Sequence, residues 1–146
     1  MSRSQTQIRV RYSETDKMGV AHHSAMLNWF ETGRVEWCRK AGIPYIEVEE
    51  AGYNMAVVEA HARYLRPVLF DSLVTIETEV TRFSGRMIHF HYKVFNHTGE
   101  AAAEGYTKHI VVNRQLQRES LPEGLVVQFH KALVTDAQVR NSRDSQ

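Results

Sequence analysis

Residues 12 to 23, Tyr-Ser-Glu-Thr-Asp-Lys-Met-Gly-Val-Ala-His-His, carry the side chains best placed to do chemistry. Asp16 falls in a loop between a strand pattern and a long helical pattern, where a carboxylate can be partly desolvated and act as nucleophile or base. Gly19 permits a backbone conformation, or a close approach of ligand, that is closed to other residues. The helix that follows begins at about His23 and Ser24. Its first N–H groups and positive dipole end suit an anion such as a thioester oxyanion. A carboxylate beside such donors is a minimal acyl-transfer site. The same residues also have a plainer use, since Asp and Ser before a helix cap and turn the chain. His22-His23 serves equally well as a structural pair.

Other residues offer weaker chemistry. Glu31, inside the helical segment, is a second candidate carboxylate, but it also pairs with Arg34 at i,i+3 on the helix face. Cys38 reads as a small core residue, because no activating neighbour is evident in sequence. His89 and His91 share a strand face and could present two imidazoles to one metal, yet no third ligand lies nearby, and no metal site is expected. Arg82, Ser84, Gly85 and Arg86 sit at a polar turn, where arginine forks suit phosphate or simply face solvent.

These residues must be positioned by regular elements. Residues 6 to 13 alternate, with Ile8, Val10 and Tyr12 on one face and Arg9 and Arg11 on the other, which predicts a half-buried strand. Residues 24 to 42 predict one long helix, with Met26, Phe30, Gly33, Trp37 and Ala41 forming an apolar stripe. Ser24 is its expected N-cap and Gly42 its C′ residue, with Pro44 beyond. From Met55 the period becomes two. Ala56, Val58, Ala60, Ala62 and Tyr64 share one face; so do Val74, Ile76 and Val80, and then Ile88, Phe90, Tyr92 and Val94. A last strand runs from Ala101 to Val112. Short turns at 66–72, 84–85 and 96–99 imply an antiparallel meander. The order strand, long helix, four strands leaves only the helix to cover the sheet's apolar face. A short amphipathic piece, Val126 to Leu133, precedes a polar tail.

Composition bounds the class. With 146 residues, 42% hydrophobic and 24% charged, the chain suits one globular domain. It is divided here as a domain over 1–134 and a polar tail over 135–146. A net charge of +1 gives no reason to expect nucleic acid as a partner. No run approaches a membrane span, and MSRSQTQIRV lacks the apolar core of a signal peptide. The single cysteine fits a reducing, cytoplasmic setting.

The string Tyr12-x-x-Thr15-Asp16-x-x-Gly19-x-x-x-His23, followed by Trp29-Phe30-Glu31-x-x-Arg34, closely resembles the 4-hydroxybenzoyl-CoA thioesterase and YbgC-like acyl-CoA thioesterases of the hotdog superfamily. The resemblance continues through Val57-Val58-Glu59, Tyr64-x-Arg66-Pro67, Asp71, Thr75-Ile76-Glu77-Thr78 and Ala103-Glu104-Gly105, and spans roughly residues 6 to 123. It implies an α+β hotdog fold, a five-stranded antiparallel sheet wrapped around one long central helix. It also implies hydrolysis of a small or medium acyl-CoA, aromatic or aliphatic, to free acid and CoA.

By the same resemblance Asp16 is the catalytic carboxylate, as nucleophile or general base, and His23 supplies the oxyanion donor through its backbone N–H. Tyr12 supports the site, and Gly19 lets the loop pass close to the thioester. Arg82, Ser84 and Arg86 meet the nucleotide end of CoA. No metal or cofactor is needed, because CoA arrives with the substrate. Family members commonly carry a small or polar residue and then Tyr or Phe after His-Ser, whereas Ala25 and Met26 stand here, so relatives' acyl specificity does not transfer. The resemblance further implies a homo-oligomer, dimer or tetramer, with sites shared between protomers. The alternatives are a non-catalytic acyl-CoA-binding module and a hydratase or dehydratase. The Asp-Asn-Pro and His-Gly-Pro strings of the latter are absent.

Overall fold

The computed structural model describes residues 3–144, with side chains through residue 134. The elements run β1 (Arg3–Arg9), a single 3-10 turn (Tyr12–Glu14), α1 (Ala25–Lys40), α2 (Tyr45–Glu50), β2 (Tyr53–Tyr64), β3 (Leu73–Ser84), β4 (Met87–Phe95), β5 (Ala101–Asn113) and α3 (Glu123–Asp144). The strands form one antiparallel sheet in the order β1-β3-β4-β5-β2. This is the expected α+β architecture, and α1 lies across the sheet's inner face.

Apolar periodicity explains the main contact. Trp29, Phe30, Trp37 and Cys38 of α1 are buried against Ile76, Ile88, Phe90, Tyr92 and Val94 of the sheet. Two glycines set how closely the layers approach. A Cβ at Gly33 would fall 2.4 Å from the Thr78 hydroxyl, and one at Gly105 would fall 2.7 Å from the Phe30 ring. Phe30 therefore lies flat over β5 and stacks on Tyr92 with centroids 4.3 Å apart. The helix ends where Gly42 takes φ +81°, with its N–H donating to the Arg39 carbonyl and that of Ile43 to the Cys38 carbonyl. This paired ending makes Gly42 the C′ residue, as the sequence predicts.

Several expectations are corrected. The first strand ends at Arg9, so Tyr12 leaves the alternation and is exposed in the 3-10 turn. Ser24 occupies the N-cap place but has helical dihedrals and makes no side-chain cap bond; its hydroxyl pairs with His22 Nδ1 instead. A β-bulge between Val57 and Glu59 shifts the phase of β2, so Ala56 and Val58 do not share a face with Ala60, Ala62 and Tyr64; Met55 is the buried residue of the strand, Ala62 is half-buried, and Val57, Val58 and Tyr64 are exposed. The short helix α2 was not expected. Nor is α1 the one long helix: α3 spans 22 residues, and its backbone continues through the segment assigned to a polar tail. Phe129 of α3 is fully buried and stacks on Phe83 and Trp37, closing the end of the core that the sheet leaves open. The outermost ends of the two assigned ranges, 1–2 and 145–146, lie outside the described residues. Among the described residues no helix is long and apolar enough to cross a membrane.

One buried imidazole makes the core sensitive to acid. His109 is 1% exposed, with Nδ1 3.1 Å from the Met55 carbonyl and Nε2 2.8 Å from Thr107 Oγ1. Burial is the main cause that pushes it down to about 4; Arg34 and His89 add to this, and the Met55 carbonyl opposes it. The unfolded chain binds a proton at an ordinary histidine pKa, so stability must fall as pH drops through that value toward the folded one. Urea unfolding at pH 7 and pH 5 should show a loss of about 2 kcal/mol that a His109→Gln chain largely lacks. Equal losses in both chains would mean that His109 is free to protonate in the fold.

Candidate active site

The segment between β1 and α1 is held by a buried carboxylate. Glu14 is 8% exposed; its Oε1 accepts the Arg11 amide at 2.8 Å and its Oε2 accepts the Trp29 indole N–H at 2.6 Å. Burial works against its charge, but these donors and the Arg11 guanidinium together hold its carboxyl below the usual range. The Glu14 carbonyl also accepts the His22 amide, which ties both ends of the loop to one residue. Between them, Thr15 bridges Ala21 and Val20 bridges Leu69. The Ala21 amide donates to Val68 and the Phe70 amide to Gly19.

Asp16 sits at the tip of this laced loop. Its Oδ1 accepts the Met18 amide at 2.8 Å, an Asx turn. Gly19 completes the turn with φ +76°, and a Cβ there would meet nothing within 4 Å. Of the two expected uses of Gly19, the structure displays the conformational one. Oδ2 of Asp16 has no hydrogen-bond partner among the described residues. At the start of α1 the Ala25 and Met26 amides are taken by the His22 and His23 carbonyls, and the Ser24 amide by His22 Nδ1. The His23 amide has no acceptor among the described residues. Its ring is exposed and lies 4.1 Å, centroid to centroid, from that of His22.

An open cleft of about 440 Å³ brings Asp16 and His23 together. Met26, Tyr64, Arg66 and Pro67 complete much of its wall. The Tyr64 hydroxyl donates to the His23 carbonyl at 2.7 Å, fixing the helix start from the end of β2. Arg66 donates to the Ala101 carbonyl and pairs with Glu100 at 3.3 Å, which places an ion pair beside the cleft. Tyr64, Arg66 and Glu14 were not picked out as site residues from sequence. Their contacts join segments about 15 to 41 positions apart, and the one signal for two of them was the Tyr64-x-Arg66-Pro67 string of the family resemblance.

The other expected residues lie elsewhere. Tyr12 packs edge-on against Phe70 at 5.7 Å and does not line the cleft. Arg82, Ser84 and Arg86 are exposed at the β3–β4 turn, where Ser84 Oγ accepts the Arg86 amide. The cleft adjoins the other end of β3, roughly 35 Å away along a strand of that length. One chain alone does not join the two groups. Glu31 is exposed and ion-paired to Arg34 at 3.9 Å. Burial pushes the Cys38 thiol up to about 12, against the pull of Arg34, so it is not a thiolate nucleophile. Among the described residues no three His, Cys, Asp or Glu side chains group as a metal site, and His89 and His91 find no third ligand.

A family model described as the thioesterase-like superfamily matches residues 10–129. A DHNA-CoA thioesterase structure from Staphylococcus aureus superimposes with a TM-score of 0.86 at 29% identity, covering 97% of this chain and 95% of that one. A hypothetical protein, TT1821, of Thermus thermophilus gives a TM-score of 0.82 at 35% identity, with 89% and 97% covered. The acyl-CoA thioester hydrolase YbgC of Escherichia coli is 24% identical over 123 residues, 84% of this chain and 92% of its own.

Glu14 provides a test of what holds the loop. A Gln at this position has one acceptor oxygen for two donors, so its amide must face either the Trp29 or the Arg11 N–H. Glu14→Gln should lower unfolding stability by about 2 kcal/mol, measured by urea denaturation followed through tryptophan fluorescence. A change within error would show that the clamp contributes nothing to the fold.

Proposed function

Because the chain belongs to the thioesterase-like superfamily, we propose that it hydrolyses an acyl-CoA thioester at the cleft shared by Asp16 and His23. That it is a thioester hydrolase of the acyl-CoA class follows from its relatives; the residues and the route are our reading. The observation that carries it is the pairing, in one cleft, of a carboxylate oxygen and a helix-start amide that both lack partners among the described residues. Asp16 Oδ1 is occupied by its own turn, which orients the carboxylate and leaves Oδ2 for chemistry. Oδ2 either attacks the thioester carbon, expelling the CoA thiolate and leaving an anhydride that water cleaves, or takes a proton from the water that attacks. In both routes the carbonyl oxygen gains charge, and the His23 amide donates to it. Neither route requires a metal or a bound cofactor.

The reading includes a dimer. Both β1 and β2 are sheet edges, and an unpaired edge is a template for another strand. Lys40 covers β1 by donating to the Gln5 carbonyl. β2 is longer, has no such cover among the described residues, and leaves Val57 and Val58 exposed. Antiparallel pairing of two β2 strands about their middles sets the Tyr64 end of one beside the Tyr53 end of the other. The β3–β4 turn lies toward that Tyr53 end, since Met87 registers with Ile110, and Val111 with Met55. Arg82, Ser84 and Arg86 would thereby approach the partner's Asp16 cleft and serve the phosphates of CoA.

Asp16→Asn should reduce kcat by at least about a thousandfold with the fold intact, by thiol-release assay and circular dichroism. His23→Ala should lose much less, because a backbone donor survives side-chain replacement; an equal loss would assign the chemistry to the imidazole. Light scattering should report at least a dimer. Mixing Asp16→Asn chains with Arg82→Ala/Arg86→Ala chains should restore part of the activity, and verified heterodimers that regain none would remove the shared site.

A further inference from the structure

The start of α1 lacks the usual cap, and two side chains from outside the helix hold it instead. Ser24 has helical dihedrals and makes no cap bond with its hydroxyl, so other groups must fix the turn that begins the helix. The peptide unit joining His22 to His23 is trans, and its carbonyl accepts the Ala25 amide at 3.0 Å. The His23 N–H of that same unit therefore points the opposite way, off the end of the helix. The next unit, from the His23 carbonyl to the Ser24 amide, is held at both ends by side chains. A carbonyl can only accept, so the Tyr64 hydroxyl donates to it at 2.7 Å. The helix itself offers that carbonyl only the Met26 amide, at 3.3 Å. An amide N–H can only donate, so His22 Nδ1 is the bare ring nitrogen. It takes the Ser24 N–H at 3.2 Å and shares its lone pair with the Ser24 hydroxyl.

Both holds are themselves anchored. Tyr64 stands at the end of β2 opposite Ala103, and the Leu65 and Arg66 amides beyond it donate to the Ala102 carbonyl at 2.9 and 3.1 Å. The phenol is half exposed, so phenylalanine in its place removes the hydroxyl bond without opening the core. The His22 amide donates to the Glu14 carbonyl at 2.6 Å, and its ring lies 4.1 Å from that of His23. A side-chain acceptor that takes the amide two positions on is the device Asp16 uses on Met18, Asn96 on Thr98 and Asn113 on Gln115. At His22 an imidazole stands where an asparagine would serve. With the units on both sides of His23 fixed, its φ and ψ are fixed, and with them the directions of its amide and its side chain. A cavity of about 350 Å³ between α1, α2 and the sheet lies beyond the Phe30–Tyr92 stack and plays no part in this clamp.

We propose that Tyr64 and His22 are positioning residues of the cleft, acting through His23 rather than on the thioester, and that together they aim His23 at the oxygen that gains charge beside Asp16. The inference rests on the acyl-CoA reading, and it holds whether the amide or the ring of His23 meets that oxygen. Its test sets kcat and KM for thiol release from benzoyl-CoA and hexanoyl-CoA beside the order of the His23 amide, read by NMR relaxation. Tyr64→Phe and His22→Ala should each lower kcat by about tenfold or more, since misplacement by about 1 Å can cost about a hundredfold, while KM stays within about threefold. His22→Asn should regain most of that loss, because its Oδ1 reaches the same Ser24 amide. The His23 order parameter should fall from about 0.85 toward about 0.6 in Tyr64→Phe and His22→Ala, and return in His22→Asn. An unchanged kcat, a kcat loss with His23 still ordered, or an asparagine variant no better than the alanine one would overturn the proposal. In a protein that cleaves no acyl-CoA, loss of His23 order in both variants would keep the clamp and discard the thioesterase reading. Unchanged order there would discard the clamp as well.

Discussion

The buried carboxylate of Glu14 is the constraint on which the site depends. A charge so well buried must be matched by donors, and beside the Arg11 guanidinium, 3.4 Å away, the Trp29 indole and the Arg11 amide are the two that hydrogen-bond it closely. Satisfying both fixes the 3-10 turn against the first turns of α1. Asp16 is two residues beyond Glu14, and His22 closes the loop on the Glu14 carbonyl. The position of the candidate carboxylate relative to the helix start thus follows from an interaction that itself does no chemistry. The segment that leads into β3, through Val68, Leu69 and Phe70, pairs with the same loop at Gly19, Val20 and Ala21.

Close packing of α1 on the sheet divides the interior into two compartments. Gly33 and Gly105 let the helix approach so nearly that Phe30 fills the middle of the layer. On one side lies the open cleft at the helix start; on the other, the cavity under α2. Each has polar groups that the chain itself does not satisfy, and each is incomplete as an enclosure for a ligand. The β2 edge strand runs beside both, with Met55 lining the cavity and Tyr64 the cleft.

The electrostatics of the two compartments differ for physical reasons. At the cleft the polar groups are exposed and loop-borne, and donors come from backbone amides. In the cavity the groups are buried, and each proton position is dictated by its neighbour, starting from a carbonyl that can only accept. A neutral, deeply buried His109 is the outcome, and the Arg34 cation of the lining is paired with Glu31 at the rim.

What the sequence determined by itself was local in origin. The stripe of α1, the left-handed ending at Gly42, the alternation of β3 and β4, and the Asp16-x-x-Gly19 turn all arise from residues a few positions apart, whose propensities and spacing act without the rest of the chain. The meeting of Asp16 with the helix start was legible for the same reason, since Asp16 and His23 are only seven positions apart. Only the tertiary structure decided the rest. The Val57–Glu59 bulge depends on what β5 offers opposite it, and Phe129 makes α3 part of the core only because Phe83 and Trp37 leave a gap there. Tyr64 reaches His23 across 41 positions, and the Tyr92–Thr107–His109–Met55 chain draws on three strands. Such contacts are set by how layers pack rather than by any propensity of the residues in them, so no window of sequence contains them.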